Sequence, residues 1–361
     1  MDNQISLDDF SQKYESVHEF LSIIVCTIGC VLNIFNVIVL TRKHMISSTN
    51  KILAALAVSN FLTMIAYIPV SVKYFINIFS ENESYIDNCD GFKSYFWTVY
   101  LLFYPKFMLS MHSSSIWLTI LLAFFRYISI CRKKIGIILC SKKYTNLSIL
   151  SVYIFCILLC SPVILQSKII ELDCSTANLQ NTSYNVTTKV YDLYESDIDI
   201  QTKGFIFKLI FFTQAIFFKI IPCILLIVFS CLLVHSIHIT CKNIFELQRN
   251  DQEIKKTKDY NRINIMLLLV CISFFLTEFP QGVLTFLCIV FESKHIYENI
   301  YMKLDDIVDL ITLFNSAINF IIYCLMSREY RETFKHIFMC LKNPSQKMVE
   351  KLEYSNQIRS L

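Results

Sequence analysis

Seven stretches with almost no charge, most of them twenty residues or longer, decide what this chain can become; they lie near 18–41, 51–77, 97–130, 145–166, 204–240, 261–291 and 304–326. About 20 apolar residues in a helix cross ~30 Å of hydrocarbon, whereas soluble domains spread their apolar residues in a periodic pattern. With 55% hydrophobic and only 17% charged residues, the chain has a membrane composition. The reading is an all-α membrane protein: a seven-transmembrane helix bundle over 18–326, preceded by a short N-terminal segment over 1–17. An amphipathic surface helix over 327–341 and a tail over 342–361 follow it.

The connecting segments set the orientation. Asp2, Asp8, Asp9, Glu15 and Glu19 accompany the start of the first stretch, with no basic n-region, so it reads as a signal anchor and not as a cleaved signal peptide. Arg42 and Lys43, then Arg132, Lys133, Lys134, Lys142 and Lys143, then Lys242, Arg249, Lys255, Lys256 and Lys258 occupy alternate connectors, and the tail is basic as well. The other connectors carry Glu81, Glu83, Asp87 and Asp90, then Glu171, Asp173, Asp192, Glu195, Asp197 and Asp199. The positive-inside rule therefore expects a multi-pass plasma-membrane protein with its N-terminus extracellular and its C-terminus cytoplasmic. Glycosylation sequons at Asn82, Asn181 and Asn185 fall outside in this arrangement, while the one at Asn146 falls inside. Of fifteen cysteines, only Cys89 and Cys174 fall in extracellular segments, and they are expected to form a disulfide.

Polar groups inside the apolar stretches mark where function would sit. His112, Ser115, Thr119 and Arg126 recur at i, i+3, i+7 and i+14, one stripe along the third helix. An uncompensated charge in hydrocarbon costs ~2.5 kcal/mol or more, so the stripe should face other helices; alternatively Arg126 is a flanking cation at the boundary. Asn33, Asn36 and Asn60 need partners within the bundle. Lys219, three residues before Pro222, must snorkel, pair or line a wet cavity. In Phe275-Leu276-Thr277-Glu278-Phe279-Pro280-Gln281-Gly282, the proline and glycine bend the helix and Glu278 and Gln281 sit at the bend. Glu278 is either a functional carboxyl or one half of a structural ion pair with Lys219. In the seventh stretch Asp305 and Asp309 share a face, and Asn315, Asn319 and Tyr323 form a stripe at four-residue spacing. Beyond it, Tyr330, Phe334, Ile337, Phe338 and Leu341 line one face of a helix suited to a membrane surface. The segment from about 167 to 203 reads as a long polar loop, functional or disordered. No clustered His or Cys ligands, Gly-rich phosphate loop or nucleophile motif appears, so no enzyme activity, metal, cofactor or nucleic-acid partner is expected.

Taken together, these features resemble the rhodopsin-like (class A) G-protein-coupled receptors. The segments Ser115-Ile116-Trp117-Leu118-Thr119, Arg126-Tyr127-Ile128, Thr277 to Gly282 and Asn315 to Ser327 are similar to invertebrate myosuppressin and FMRFamide-type neuropeptide receptors. The resemblance implies a receptor for a short amidated peptide, signalling to a heterotrimeric G protein through movement of helix 6. It implies that Asn33, Asn60, Asn315 and Asn319 form an interior polar network, and that Arg126, Tyr127 and Tyr323 act at the G-protein end. His112, Lys219, Glu278, Gln281, Asp305 and Asp309 would line the ligand site, with Glu278 receiving a ligand arginine in a bidentate pair.

Several positions depart from that family's pattern. Phe125 stands where an acid usually precedes the helix 3 arginine, Asn60 where an aspartate helps bind sodium, and Phe320 where helix 7 has proline. The usual helix 3 cysteine would fall at Leu101. These departures leave room for a weakly signalling or chemokine-like peptide-binding receptor of the same fold. A secondary transporter is the alternative from another class, but no internal repeat is visible.

Overall fold

The structure, a computed structural model, describes residues 7–79, 94–176, 186–202, 205–246, 251–290 and 302–338. Among them seven helical segments are long and apolar enough to cross a membrane. They are span 1 (Val17–Leu40), span 2 (Ser48–Ile76), span 3 (Tyr95–Ser129), span 4 (Lys142–Val163), span 5 (Lys208–Ser236), span 6 (Leu268–Leu287) and span 7 (Asp306–Met326). The bundle is inside-out relative to a soluble protein. Leu158, Leu276, Phe314 and Leu325 are exposed, while Asn33, Ser59, Asn60, Ser115, Thr119 and Glu278 are fully buried. Lipid tails solvate the first set without cost, and only neighbouring helices can satisfy the second.

Span 3 is the axis of packing. Its Ile116, Leu118, Leu122 and Phe125 meet Leu53 and Leu56 of span 2, Leu226 of span 5, Phe274 of span 6 and Tyr323 of span 7, together with Met266 and Val270. A second apolar cluster joins Val25 and Cys26 to Met64, Tyr67, Leu310 and Leu313. Span 5 holds a feature that periodicity did not announce, a π-helical turn over Gln214–Ile220. Pro222, the second residue after it, lacks an N–H and would crowd the carbonyl of Phe218, and the wider turn absorbs both effects.

The long polar loop expected after span 4 is corrected by the structure. A 3₁₀ turn, Ser161–Gln166, opens on Pro162 and leads into two antiparallel strands, β1 (Ser167–Thr176) and β2 (Val186–Glu195). Their register runs from Ser167 opposite Glu195 to Thr176 opposite Val186. Ile169, Ile170, Val190 and Leu193 supply the strand propensity that the interleaved acids obscured in the sequence. The hairpin docks on the start of span 3, where Thr98 Oγ1 donates to the Tyr191 carbonyl at 3.0 Å and the Tyr95 and Tyr191 rings meet edge-on at 5.1 Å. Cys174 lies in β1, whereas Cys89, the sequons at Asn82, Asn181 and Asn185, and the tail over 342–361 lie outside the described residues.

At the opposite end a short surface helix, Arg328–Phe338, turns off span 7. Tyr330 is its anchor: fully buried, it donates from its hydroxyl to Asn36 Oδ1 at 2.7 Å, and its ring lies 5.9 Å from Tyr323 and 6.0 Å from Phe320. Phe35, Phe320, Phe334 and Phe338 close around it, so the residue in the usual proline position of helix 7 serves as packing. Tyr330→Phe removes the donor from a buried amide oxygen and will cost about 1–3 kcal/mol, read as a fall in thermal stability of the purified protein in detergent. Combining it with Asn36→Leu will return most of that loss, because no buried acceptor is then left unpaired.

Candidate functional site

Glu278 lies two residues before the proline that bends span 6, and it is fully buried. His112 Nε2 on span 3 donates to its Oε1 at 3.0 Å. Lys219 Nζ on span 5 donates to its Oε2 and also to Gln281 Oε1, one turn further along span 6. The close approach has a local cause: a Cβ on Gly282 would lie 3.1 Å from Lys219 Cβ, so the glycine makes room for the lysine stem against span 6. Lys219 itself sits in the π turn of span 5. A carboxylate moved from water to this depth loses several kcal/mol of solvation, and only donors on both oxygens offset that loss. Three helices are thus tied at one charged atom group.

Around the cluster the buried amides do not form the single network expected of them. Asn33 Nδ2 donates to the carbonyls of Gly29 at 2.9 Å and Ser316 at 3.1 Å, joining spans 1 and 7. Asn315 Nδ2 donates to Thr277 Oγ1 at 3.2 Å, joining spans 7 and 6. Asn60 and Asn319 are fully buried, and neither side chain has a direct hydrogen-bond partner among the described residues. The four asparagines share the interior without bonding directly to one another.

Arg126 and Tyr127 are half-buried at the far end of span 3. Phe125 turns into the apolar cluster instead of presenting a charge to Arg126. The guanidinium reaches the vicinity of Cys140, whose thiol is pushed up by burial against the opposing pull of that cation. Tyr323 is already fully buried, its ring tilted against that of Tyr330.

At the hairpin end a second group of polar residues gathers between spans 1, 2, 3 and 7. Tyr67 and Tyr104 pack there with Val25 and Cys26 of span 1 and Leu310 and Leu313 of span 7. His18 Nε2 shares a 3.0 Å hydrogen bond with the Tyr67 hydroxyl, and the Tyr67 and Tyr104 rings meet edge-on at 6.2 Å. Tyr14, before span 1, has its phenol raised above the ordinary value by burial and then by Asp306. The Asp305 side chain lies outside the described residues. Sequence reasoning picked out Asp309 but missed His18, Tyr67 and Tyr104; the signal available was His18, Ser22 and Cys26 recurring every four residues along one buried face of span 1.

A model of the serpentine-type 7TM GPCR chemoreceptor Srw family matches residues 20–341. The chain belongs to this family of G-protein-coupled receptors. It is a multi-pass membrane receptor and not an enzyme. It is 27% identical over 370 residues to "G-protein coupled receptor dmsr-1" of Caenorhabditis elegans, which covers 91% of this chain and 69% of that one. It is 26% identical to "Sex peptide receptor" of Drosophila melanogaster, over 86% of this chain and 70% of the relative. Similarity extends to the mouse "Thyrotropin-releasing hormone receptor", at 26% identity over 93% and 82% of the two chains.

Within this receptor Lys219 and His112 hold the two oxygens of Glu278. The pairing with Lys219, one of the two readings open from the sequence, is what the helices build. Lys219→Met removes one partner of a buried pair and will destabilise the receptor by about 3–5 kcal/mol in thermal unfolding, while Lys219→Met with Glu278→Met will recover most of the loss.

Proposed function

We propose that the receptor binds a short amidated neuropeptide of the FMRFamide or myosuppressin kind. It would do so at the plasma membrane, with its N-terminus outside, and pass binding to a heterotrimeric G protein inside through movement of span 6. The observation that carries this reading is the charge cluster Lys219, Glu278 and His112, which ties span 6 to spans 3 and 5 beside the Pro280 bend. The names of the dmsr-1 and sex peptide receptor relatives add support for a peptide ligand.

The mechanism follows from where the charges sit. Span 6 cannot swing away from spans 3 and 5 without altering the bonds to Glu278, so any ligand that favours the altered geometry shifts the population toward span 6 outward. The consequence is felt at the other end, where Phe125, Leu226, Met266, Val270, Phe274 and Tyr323 fill the space that a G protein would open. Phe125, which stands where an acid is usual, adds apolar packing to that end. By linkage, a G protein bound inside raises ligand affinity outside by the same factor that the ligand raises G-protein affinity.

Cells expressing the receptor, challenged with a panel of amidated peptides and their free-acid forms, will respond to amidated members. Glu278→Gln weakens the bond to Lys219 and will change basal signalling, agonist potency or both by about tenfold, the equivalent of 1.4 kcal/mol. Unchanged signalling on both measures would remove Glu278 from the path between ligand and G protein.

A further inference from the structure

The connection between spans 3 and 4 is basic without relief. Arg132, Lys133, Lys134, Lys142 and Lys143 crowd into it, and the whole of 127–146 holds no aspartate or glutamate. Arg132, Lys134, Lys142 and Lys143 are exposed, and among the described residues no acid pairs with any of them. Like charges held this close repel one another, which favours a counter-charge brought from outside the chain.

Between these cations the chain forms a short helix, Lys133–Leu139. Gly136 is its inward residue: a Cβ there would lie 3.1 Å from Ser129 Cα and 3.3 Å from the Ile128 carbonyl oxygen, so the bare Cα lets the helix lie against the last turn of span 3. Helical periodicity puts Lys134 and Ile138 opposite Gly136, with Ile135 and Ile137 to either side. The outward face is therefore apolar, and Ile135, Ile137 and Ile138 are 48%, 77% and 61% exposed.

What covers that face follows from its height and its charge. The helix runs between Ser129, where span 3 ends, and Lys142, where span 4 begins, so it lies at the boundary of the membrane-spanning layer. Two hydrogen bonds tie this level to the start of span 2: Ser48 Oγ donates to the Cys140 carbonyl, and Lys51 Nζ donates to Asn146 Oδ1 at 2.8 Å. Tyr144 and Leu147 are exposed as well and continue the outward face onto span 4. Apolar side chains set among cations at such a boundary match a layer of acyl chains capped by negative headgroups.

We propose that the Lys133–Leu139 helix is a docking surface for anionic phospholipid. Ile135, Ile137 and Ile138 enter the edge of the acyl region, while Arg132, Lys134, Lys142 and Lys143 attract the negative headgroups. The inference rests on the reading that places this end of the bundle inside the cell, where the leaflet carries the anionic lipids. Lipid seated on the helix steadies the end of span 3 from outside, about one turn beyond Arg126.

The test places the full-length receptor in nanodiscs of phosphatidylcholine, with and without phosphatidylserine, and follows backbone hydrogen exchange over 133–140. The Gly136 N–H bonded to the Arg132 carbonyl and the Cys140 N–H bonded to the Gly136 carbonyl, both at 2.8 Å, report opening of the helix. In the wild type they will exchange about tenfold more slowly with phosphatidylserine present, and high salt will remove the difference. Lys134→Gln combined with Lys142→Gln and Lys143→Gln will exchange alike in the two lipids, and Ile137→Ser will lose protection in this segment while spans 2 and 3 keep theirs. The wild-type comparison and its salt dependence need no variant to fold. Equal exchange of the wild type in the two lipids, or a lipid effect that survives the three glutamine substitutions, would overturn the proposal. Protection gained only on adding a G protein would overturn it too, and give the face to that partner. The peptide reading is tested separately, since silence in the signalling panel would leave the exchange difference in place. Staining of a tail epitope on unpermeabilised cells would instead overturn the orientation, and with it the choice of leaflet.

Discussion

Glu278 can remain buried among three helices only because Lys219 and His112 meet its two oxygens, and much of the molecule is arranged to make that meeting possible. The π turn in span 5 carries Lys219, and the bare Cα of Gly282 lets its stem approach beside Pro280. In hydrocarbon a charge has no solvent to fall back on, so the geometry of its partners becomes the geometry of the bundle. Beside Pro280 this receptor places an ion pair, whose strength depends on the separation of its partners.

The two ends of the bundle are built on different physics. At the hairpin end, phenols and a buried histidine meet between spans 1, 2 and 3. At the surface-helix end, aromatic rings from span 1, span 7 and the surface helix pack around Tyr330, and one hydrogen bond to Asn36 fixes the junction. Phe125 and Phe320, the positions that depart most from the rhodopsin-like pattern, both belong to this apolar packing. The two aromatic side chains there add van der Waals contact to the packing of this end.

Several things were legible from residue order alone. The apolar stretches announced seven helices because hydrocarbon imposes one length and one composition on anything that crosses it. The stripe of His112, Ser115 and Thr119 announced an interior face because a period of 3.6 residues turns spacing into direction. The hairpin of β1 and β2 was not legible, since its alternation is short and is interrupted by acids, and the π turn was not, since it differs from an α-helix by a single residue per turn. The buried group of His18, Tyr67 and Tyr104 was missed because each is one polar atom in a long apolar run, and nothing local distinguishes it from packing.

The sequence by itself determined that this is a seven-helix membrane receptor, and it named most of the ionisable groups that matter. Only the tertiary structure decided how they pair: that Lys219 and His112 belong to Glu278, that Asn33 reaches a backbone carbonyl of span 7 and not another asparagine, and that His18 meets the Tyr67 hydroxyl. The reason is one of range. Hydropathy acts residue by residue along the chain, whereas a hydrogen bond or ion pair acts over about 3 Å between helices whose contact follows from packing, and that distance is written nowhere in the order of residues.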